Sequence, residues 1–249
     1  MRGIMIASLL GCCASQAAEL EAREYKAADG TVVKYRYHAP EGLEAGKIYP
    51  LVLFLHGAGE RGDDNTAQLK HGVKAILEGA AKLNESCFLI APQCPQEQWW
   101  TPINWETKRP SEAGKPNPLL EAVLALTLEI FQKQPVDPKR FYVTGVSMGG
   151  YGTWDLLGRV PERIAAAVPV CGGGEPLLAD RYKEVPVWAF HGEADPVVPV
   201  QTTKEMIAAL EKAGGKPKVT YYPGVQHDSW TQTYADPAVI RWIFEQHRK

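Results

Sequence analysis

The sequence predicts a mainly parallel, doubly wound α/β sheet flanked by helices in a single domain. Three observations carry that prediction. Short apolar runs at positions 51–55, 88–91, 140–146, 164–171 and 185–191 lack the polar alternation of a half-wet strand, as strands covered on both faces do. Between them lie segments whose apolar residues recur at helical spacing. Several runs open at their ends into Gly-rich or acidic loops, the places where such sheets hold their ligands. A chain of 249 residues, 45% hydrophobic and 22% charged, is long enough for one large domain with a well-buried core, and it carries no repeat or low-complexity tract.

Taken in order, Met1 and Arg2 followed by the apolar stretch 3–11 resemble a secretory leader. Positions 1–18 are therefore set apart from a domain at 19–249, and the expected location is secreted or periplasmic. Two processing readings compete. Ser15-Gln16-Ala17 is a small-x-small site for release, which is favoured, while Leu9-Leu10-Gly11-Cys12 resembles a lipobox that would leave Cys12 lipidated. Of the other cysteines, Cys87, Cys94 and Cys171 show no zinc-ligand spacing and read as small buried residues, with a Cys87–Cys94 bridge left open.

Positions 31–38 alternate and form an edge or hairpin strand with one wet face. The run 51–55 is a buried strand that exits into His56-Gly57-Ala58-Gly59-Glu60-Arg61-Gly62, and 88–91 is another. A helix over 119–133 presents Leu120, Val123, Leu124, Thr127, Leu128 and Phe131 to the sheet. A turn at 135–139 precedes the strand 140–146, which leads into a helix over 148–160 that ends near Pro161. Strands at 164–171 and 185–191 follow. A helix over 201–213 stops at Gly214-Gly215, and a last strand at 219–222 and a helix over 237–247 close the chain.

The chemistry centres on Gly145-Val146-Ser147-Met148-Gly149. A Gly-x-Ser-x-Gly between a strand and a helix is a nucleophile elbow, in which a strained turn lifts the serine hydroxyl above the sheet. A serine hydroxyl is too weakly acidic to attack unaided, so it needs a histidine as base and a carboxylate to fix that histidine's tautomer. Asp195 follows the strand 185–191 and His227 follows the strand 219–222, in the chain order such a triad requires. Glu193 is the nearest competitor of Asp195. His56 and His191, each at a strand's end, are expected to orient loop backbone through hydrogen bonds. The backbone N–H groups of Met148 and Ala58, with Gly57 or Gly59 as neighbours of the latter, are the expected oxyanion donors. Trp99, Trp100 and Trp105, in the long segment after position 91, and Trp230, beside His227, either line a substrate cleft or anchor loops.

No metal or cofactor is called for. A formal net charge of −2 gives no footprint for nucleic acid. No internal apolar run is long enough to span a bilayer. The expected partner is a small-molecule or polysaccharide-linked ester.

The stretches 51–62, 145–150, 191–195 and 226–230 together resemble α/β-hydrolases of the dienelactone hydrolase and polyhydroxybutyrate-depolymerase-like esterase group, to which feruloyl and acetylxylan esterases are related. The resemblance runs from about Tyr35 to the C-terminus. It implies Ser147, Asp195 and His227 as the triad and the backbone of Ala58 and Met148 as the oxyanion hole. Dienelactone hydrolase itself uses a cysteine nucleophile, so Ser147 makes the ester-hydrolysing relatives the better guide. The expected activity is a secreted serine carboxylesterase for carbohydrate-linked acetyl or feruloyl esters. The alternatives are a prolyl-oligopeptidase-type peptidase, for whose usual propeller this length leaves no room, and a noncatalytic hydrolase-fold binding protein.

Overall fold

Apolar side chains on both faces decide which segments become the central strands. In β3 (Tyr49–Leu55), β4 (Phe88–Pro92) and β8 (Ala166–Val170) every residue is buried. The computed structural model describes residues 20–104, 106–111 and 115–248. The expected leader, Cys12 and Trp105 lie outside the described residues.

β1 (Glu21–Lys26), β2 (Val32–His38), β7 (Val136–Val146), β9 (Trp188–Gly192) and β10 (Lys218–Tyr222) complete an eight-stranded sheet of order β1-β2-β4-β3-β7-β8-β9-β10. β1 and β2 join antiparallel, and from β4 to β10 all neighbours are parallel. The predicted hairpin strand is thus β2, with Val33, Tyr35 and Tyr37 inward, but it is not the edge. That place belongs to the charged strand β1. A small hairpin, β5 (Ile103–Asn104) with β6 (Arg109–Pro110), lies outside the main sheet.

Helices cover both faces. α2 (Pro118–Lys133), α3 (Met148–Arg159) and α4 (Gln201–Lys212) pack on the face that carries Leu51, Leu53, Leu55, Phe141 and Val143. α1 (Val73–Lys82), α5 (Trp230–Ala235) and α6 (Pro237–Glu245) cover the face with Val52, Phe54, Tyr142 and Val168. This alternation along β3 and β7 is the two-residue period of a strand with a core on either side.

α2 begins where Pro118 can occupy the first turn without losing a hydrogen bond, with the Asn117 side chain accepting from Leu120 N at 3.1 Å. Its buried stripe is Leu119, Leu120, Val123, Leu126, Thr127 and Ile130, while Leu128 is exposed. Of the predicted stripe, Leu120, Val123 and Thr127 are buried and Leu124 and Phe131 pack against the core, so Leu128 alone departs from it. β7 starts at Val136, so the expected turn at 135–139 forms the exposed outer end of that strand. Cys87, Cys94 and Cys171 are free and buried.

The loop leaving β3 is pinned by buried polar side chains. His56 donates from Nδ1 to Gly57 O at 2.6 Å and accepts the Cys94 N–H at Nε2, 2.9 Å away. Gln93 accepts from Asn65 N at 2.6 Å and donates to Glu60 O at 3.1 Å and Asp64 Oδ1 at 2.8 Å. Replacing Gln93 with leucine leaves the buried Asn65 N–H and Glu60 carbonyl unpaired. Equilibrium denaturation is expected to register a loss of about 2 kcal/mol or more.

Burial, opposed by the bond to Gly57 and reinforced by nearby Arg61, lowers the His56 pKa to about 4. A proton on Nε2 would also remove the acceptor for Cys94. A histidine whose folded pKa lies below its unfolded value adds stability fully above the unfolded value, near 6.5, and that contribution is lost as pH falls towards 4. Stability should therefore decline by about 3 kcal/mol across that window from this group alone. Denaturation midpoints measured at pH 7 and pH 4 should differ less in His56→Gln than in the unmodified chain.

Candidate active site

β7 and α3 meet at Ser147 with almost no connecting chain, and the backbone there is forced into a conformation unusual for a side-chain-bearing residue. Ser147 has φ 53° and ψ −114°. Such a residue costs on the order of 1–3 kcal/mol and persists only where its surroundings over-determine it. Those surroundings are backbone atoms. A Cβ at Gly149 would lie 1.9 Å from Leu55 O, and one at Gly145 would lie 2.5 Å from Gly149 O. No side chain larger than hydrogen fits at either position, so the glycines of the motif are dictated by the contact between the elbow and the end of β3. Ser147 N donates to Val170 O at 2.9 Å, tying the turn to β8 as well.

Ser147 stands at the N-cap position of α3, yet its hydroxyl caps nothing. It lies 2.9 Å from His227 Nε2. His227 Nδ1 lies 2.7 Å from Asp195 Oδ2. The structure thus brings together the three residues that the sequence singled out on three separate strand exits. With the carboxylate accepting from Nδ1–H, Nε2 is the basic nitrogen facing the hydroxyl, the tautomer that removal of a proton from Ser147 requires.

Asp195 is held from several sides. Its Oδ1 accepts the N–H groups of Val197 at 2.8 Å and Val198 at 3.0 Å. Oδ2 takes the His227 bond and lies 3.3 Å from His191 Nε2. Burial opposes ionisation, but the donors His191, His227, Val198 and Val197 outweigh it and hold the carboxyl well below the usual carboxylate range. His191 also donates from Nε2 to Val198 O at 2.8 Å, and its Nδ1 lies 2.7 Å from Thr203 Oγ1. It therefore braces the loop that carries the carboxylate. Glu193 is exposed and forms no part of this network.

Ala58 and Met148 are each the first residue of a helical turn that no side chain caps. Their N–H groups are among those that helical geometry leaves without a partner. A Cβ placed on Gly57 would come within 3.7 Å of Ser147 Cβ, so the loop bearing Ala58 lies against the elbow.

The tryptophans divide. Trp100 is fully buried, donates Nε1–H to His56 O at 3.0 Å and packs over Gly152. It offers no face to a ligand, so its sequence assignment as a substrate contact is corrected to that of an anchor. Trp99 is partly buried and lies under the Arg61 guanidinium, 4.3 Å from its ring centroid. Trp230 stands edge-on to His227, with ring centroids 5.3 Å apart.

Cys171, Glu60 and His71 are neighbours of the site that sequence reasoning did not place there. Cys171 Sγ, an Asp195 oxygen and a His227 nitrogen lie within 4.8 Å of one another. The carboxylate oxygens and both imidazole nitrogens are already engaged in the bonds above. Burial pushes the thiol far up, away from the thiolate a metal would need. That donor set does not suit a cation. Only the strand exit at Val170 could have pointed to Cys171, and nothing in the sequence separated Glu60 or His71 from other loop residues.

Among solved structures, a thermostable esterase superposes with a TM-score of 0.85 at 37% identity, over 92% of this chain and 63% of that one. The uncharacterised peptidase YuxL of Bacillus subtilis is 25% identical over 82% of this chain and 35% of its own length. A bifunctional acetylxylan esterase/xylanase of Neocallimastix patriciarum is 22% identical over 72% of this chain and 24% of its own length. The chain spans between 24% and 54% of the length of the curated relatives it matches. The dienelactone hydrolase family model matches residues 108–239, which includes the elbow, the acid loop and the histidine. With its eight-stranded α/β-hydrolase sheet and that match across more than half its length, the chain belongs to the dienelactone hydrolase family.

Proposed function

We propose that this chain is a serine carboxylesterase that works through Ser147, His227 and Asp195. One observation carries the reading: a single line of hydrogen bonds runs from the Asp195 carboxylate through His227 to the hydroxyl of a serine held at positive φ. In the first step His227 Nε2 takes the Ser147 proton as Oγ bonds to the ester carbonyl carbon. The carbonyl oxygen becomes an oxyanion facing the N–H groups of Ala58 and Met148. Collapse breaks the bond to the alcohol, which leaves with the proton from His227. Water, deprotonated in turn by His227, then cleaves the acyl-enzyme to acid and regenerates Ser147.

Asp195, kept ionised by its four donors, stabilises the imidazolium in both steps. The esterase likeness at 37% identity supports this reading over the peptidase one. The leader at 1–18 supports export, and the acetylxylan esterase relative favours an ester attached to carbohydrate.

A fluorophosphonate is expected to label the unmodified chain covalently at Ser147 and to leave Ser147→Ala unlabelled. Absence of labelling in the folded chain would point instead to a binding protein. Asp195→Asn should retain the fold and lose about 10⁴-fold in kcat. A panel of aryl acetates, acetylated sugars, feruloylated sugars and prolyl peptides tests the substrate class. Greater kcat/KM on the sugar esters is the expected outcome, and turnover of peptides alone would return the choice to the peptidase.

A further inference from the structure

Glu60 lies in the loop that also carries Ala58, and the triad makes no use of it. Its side chain is 8% exposed. Its backbone is fixed at both ends, with N–H donating to Gly57 O at 3.3 Å and the carbonyl accepting from Gln93 at 3.1 Å. Yet among the described residues no donor reaches its carboxylate. Arg61, next in sequence, turns away to Ala58 O at 3.0 Å and to the face of Trp99. The nearest polar group is His71, whose Nε2 lies 3.6 Å from Oε1, too long for a hydrogen bond. Among the described residues the His71 ring makes no hydrogen bond, and it rests against Trp230, with centroids 5.0 Å apart. The carboxylate oxygens keep a narrow contact with water, and a ligand group that displaces this water must itself donate to the carboxylate or leave it desolvated at a cost.

The position of these groups says what that is. A Cβ on Gly57 would lie 3.0 Å from Glu60 Oε2 and 3.7 Å from Ser147 Cβ, so carboxylate and nucleophile flank one glycine. Trp230 touches His71 on one side and His227 on the other. Glu60 and His71 therefore border the space beside Ser147.

We infer that Glu60 and His71 form a subsite that binds a hydroxyl group of the ester substrate, so that polyol and sugar esters are preferred. A hydroxyl donates to the carboxylate and accepts from the imidazole N–H, satisfying both unpaired groups at once. An ammonium group has only donors and would leave the imidazole N–H without a partner. An unsubstituted aryl or alkyl group would bury the carboxylate with no donor at all. The inference rests on the esterase reading above and refines it.

The test compares acetates that differ in the alcohol: a mono-O-acetyl methyl xyloside, p-nitrophenyl acetate and acetylcholine. In the unmodified chain the xyloside ester is expected to lead after correction for leaving-group reactivity. Glu60→Gln should lower the ratio of its kcat/KM to that for p-nitrophenyl acetate by about tenfold or more, the loss falling mainly on KM. An unchanged ratio would overturn the subsite, and so would a loss confined to acetylcholine. If Glu60→Gln fails to fold, the unmodified chain still decides. Methyl xyloside should inhibit p-nitrophenyl acetate hydrolysis competitively, whereas cyclohexylmethanol should not, and equal inhibition by the two would overturn the inference. Fluorophosphonate labelling separates the two readings. A chain that labels but shows no hydroxyl preference loses only the subsite, and one that does not label loses the esterase reading as well.

Discussion

The contact between the elbow and the end of β3 governs the rest of the site. Leu55 O sits where a Cβ of Gly149 would otherwise be, so β3, β7 and α3 approach to backbone distance. Two consequences follow from that approach. The chain must reverse within one residue, which places Ser147 at positive φ and aims its hydroxyl away from the helix it would otherwise cap. The first turns after β3 and after β7 are also drawn together, so the unpaired N–H groups of Ala58 and Met148 belong to neighbouring helical starts. The proposed nucleophile and oxyanion donors are thus products of one packing constraint, and the strain at Ser147 is offset by the core beneath it.

The acid side of the site is built differently, from polar groups in a dry environment. Asp195 sits in a loop with no regular structure of its own, and its orientation depends on Val197, Val198, His191 and His227 donating together. Low local dielectric strengthens each bond and raises the penalty for losing any one of them. His191 extends the network into α4 through Thr203, whose hydroxyl also lies 2.9 Å from Gly172 O, just beyond β8. The loop carrying the carboxylate is therefore referenced to the sheet at β8 as well as at β9, and β8 is the same strand that Ser147 N engages at Val170.

Much of this was legible in the sequence, and the reason differs by element. The central parallel strands announce themselves because burial on both faces leaves little room for polar residues, and Ser147 and Asp195 follow such runs, whereas His227 follows the partly exposed edge strand β10. Asp195 was preferred over Glu193 on sequence, and burial of one beside exposure of the other bears on that preference. β1 was not legible, since Glu21, Arg23, Glu24 and Lys26 give it no apolar alternation, and its side-chain contact with β2, Arg23 over the Tyr37 ring at 3.7 Å, is not one that sequence pattern announces. α1, with Val73, Ile76, Leu77 and Ala80 inward, is a short helix behind a long polar loop, and its stripe of four residues is a weak periodic signal. The inward face of α2 was legible except at Leu128, an exposed leucine in a helix whose apolar residues extend beyond one face. Trp100 could not be told from a ligand-stacking residue, because an indole packed on Gly152 and one lining a cleft are the same letter in the same loop.

That last distinction bears on where selectivity resides. The described residues between Trp99 and Asn117 are fastened to the body of the molecule at several points. Trp100 is in the core, Lys108 O accepts from the Tyr151 hydroxyl at 2.8 Å, Arg109 pairs with Glu205 at 2.7 Å and Lys115 O accepts from Arg159 at 2.7 Å. These groups are spent on the scaffold, while the buried Thr101 hydroxyl has no partner among the described residues. The opposite wall, from Ala58 through Glu60 and His71 to Trp230, has its backbone fixed by Gln93 and His56, while among the described residues the side chains of Glu60 and His71 make no hydrogen bond. Rigid backbone with unsatisfied side-chain groups is the arrangement that discriminates between ligands, since binding neither orders the wall nor breaks bonds within it. The difference between the two walls follows from what each segment's hydrogen bonds are already committed to.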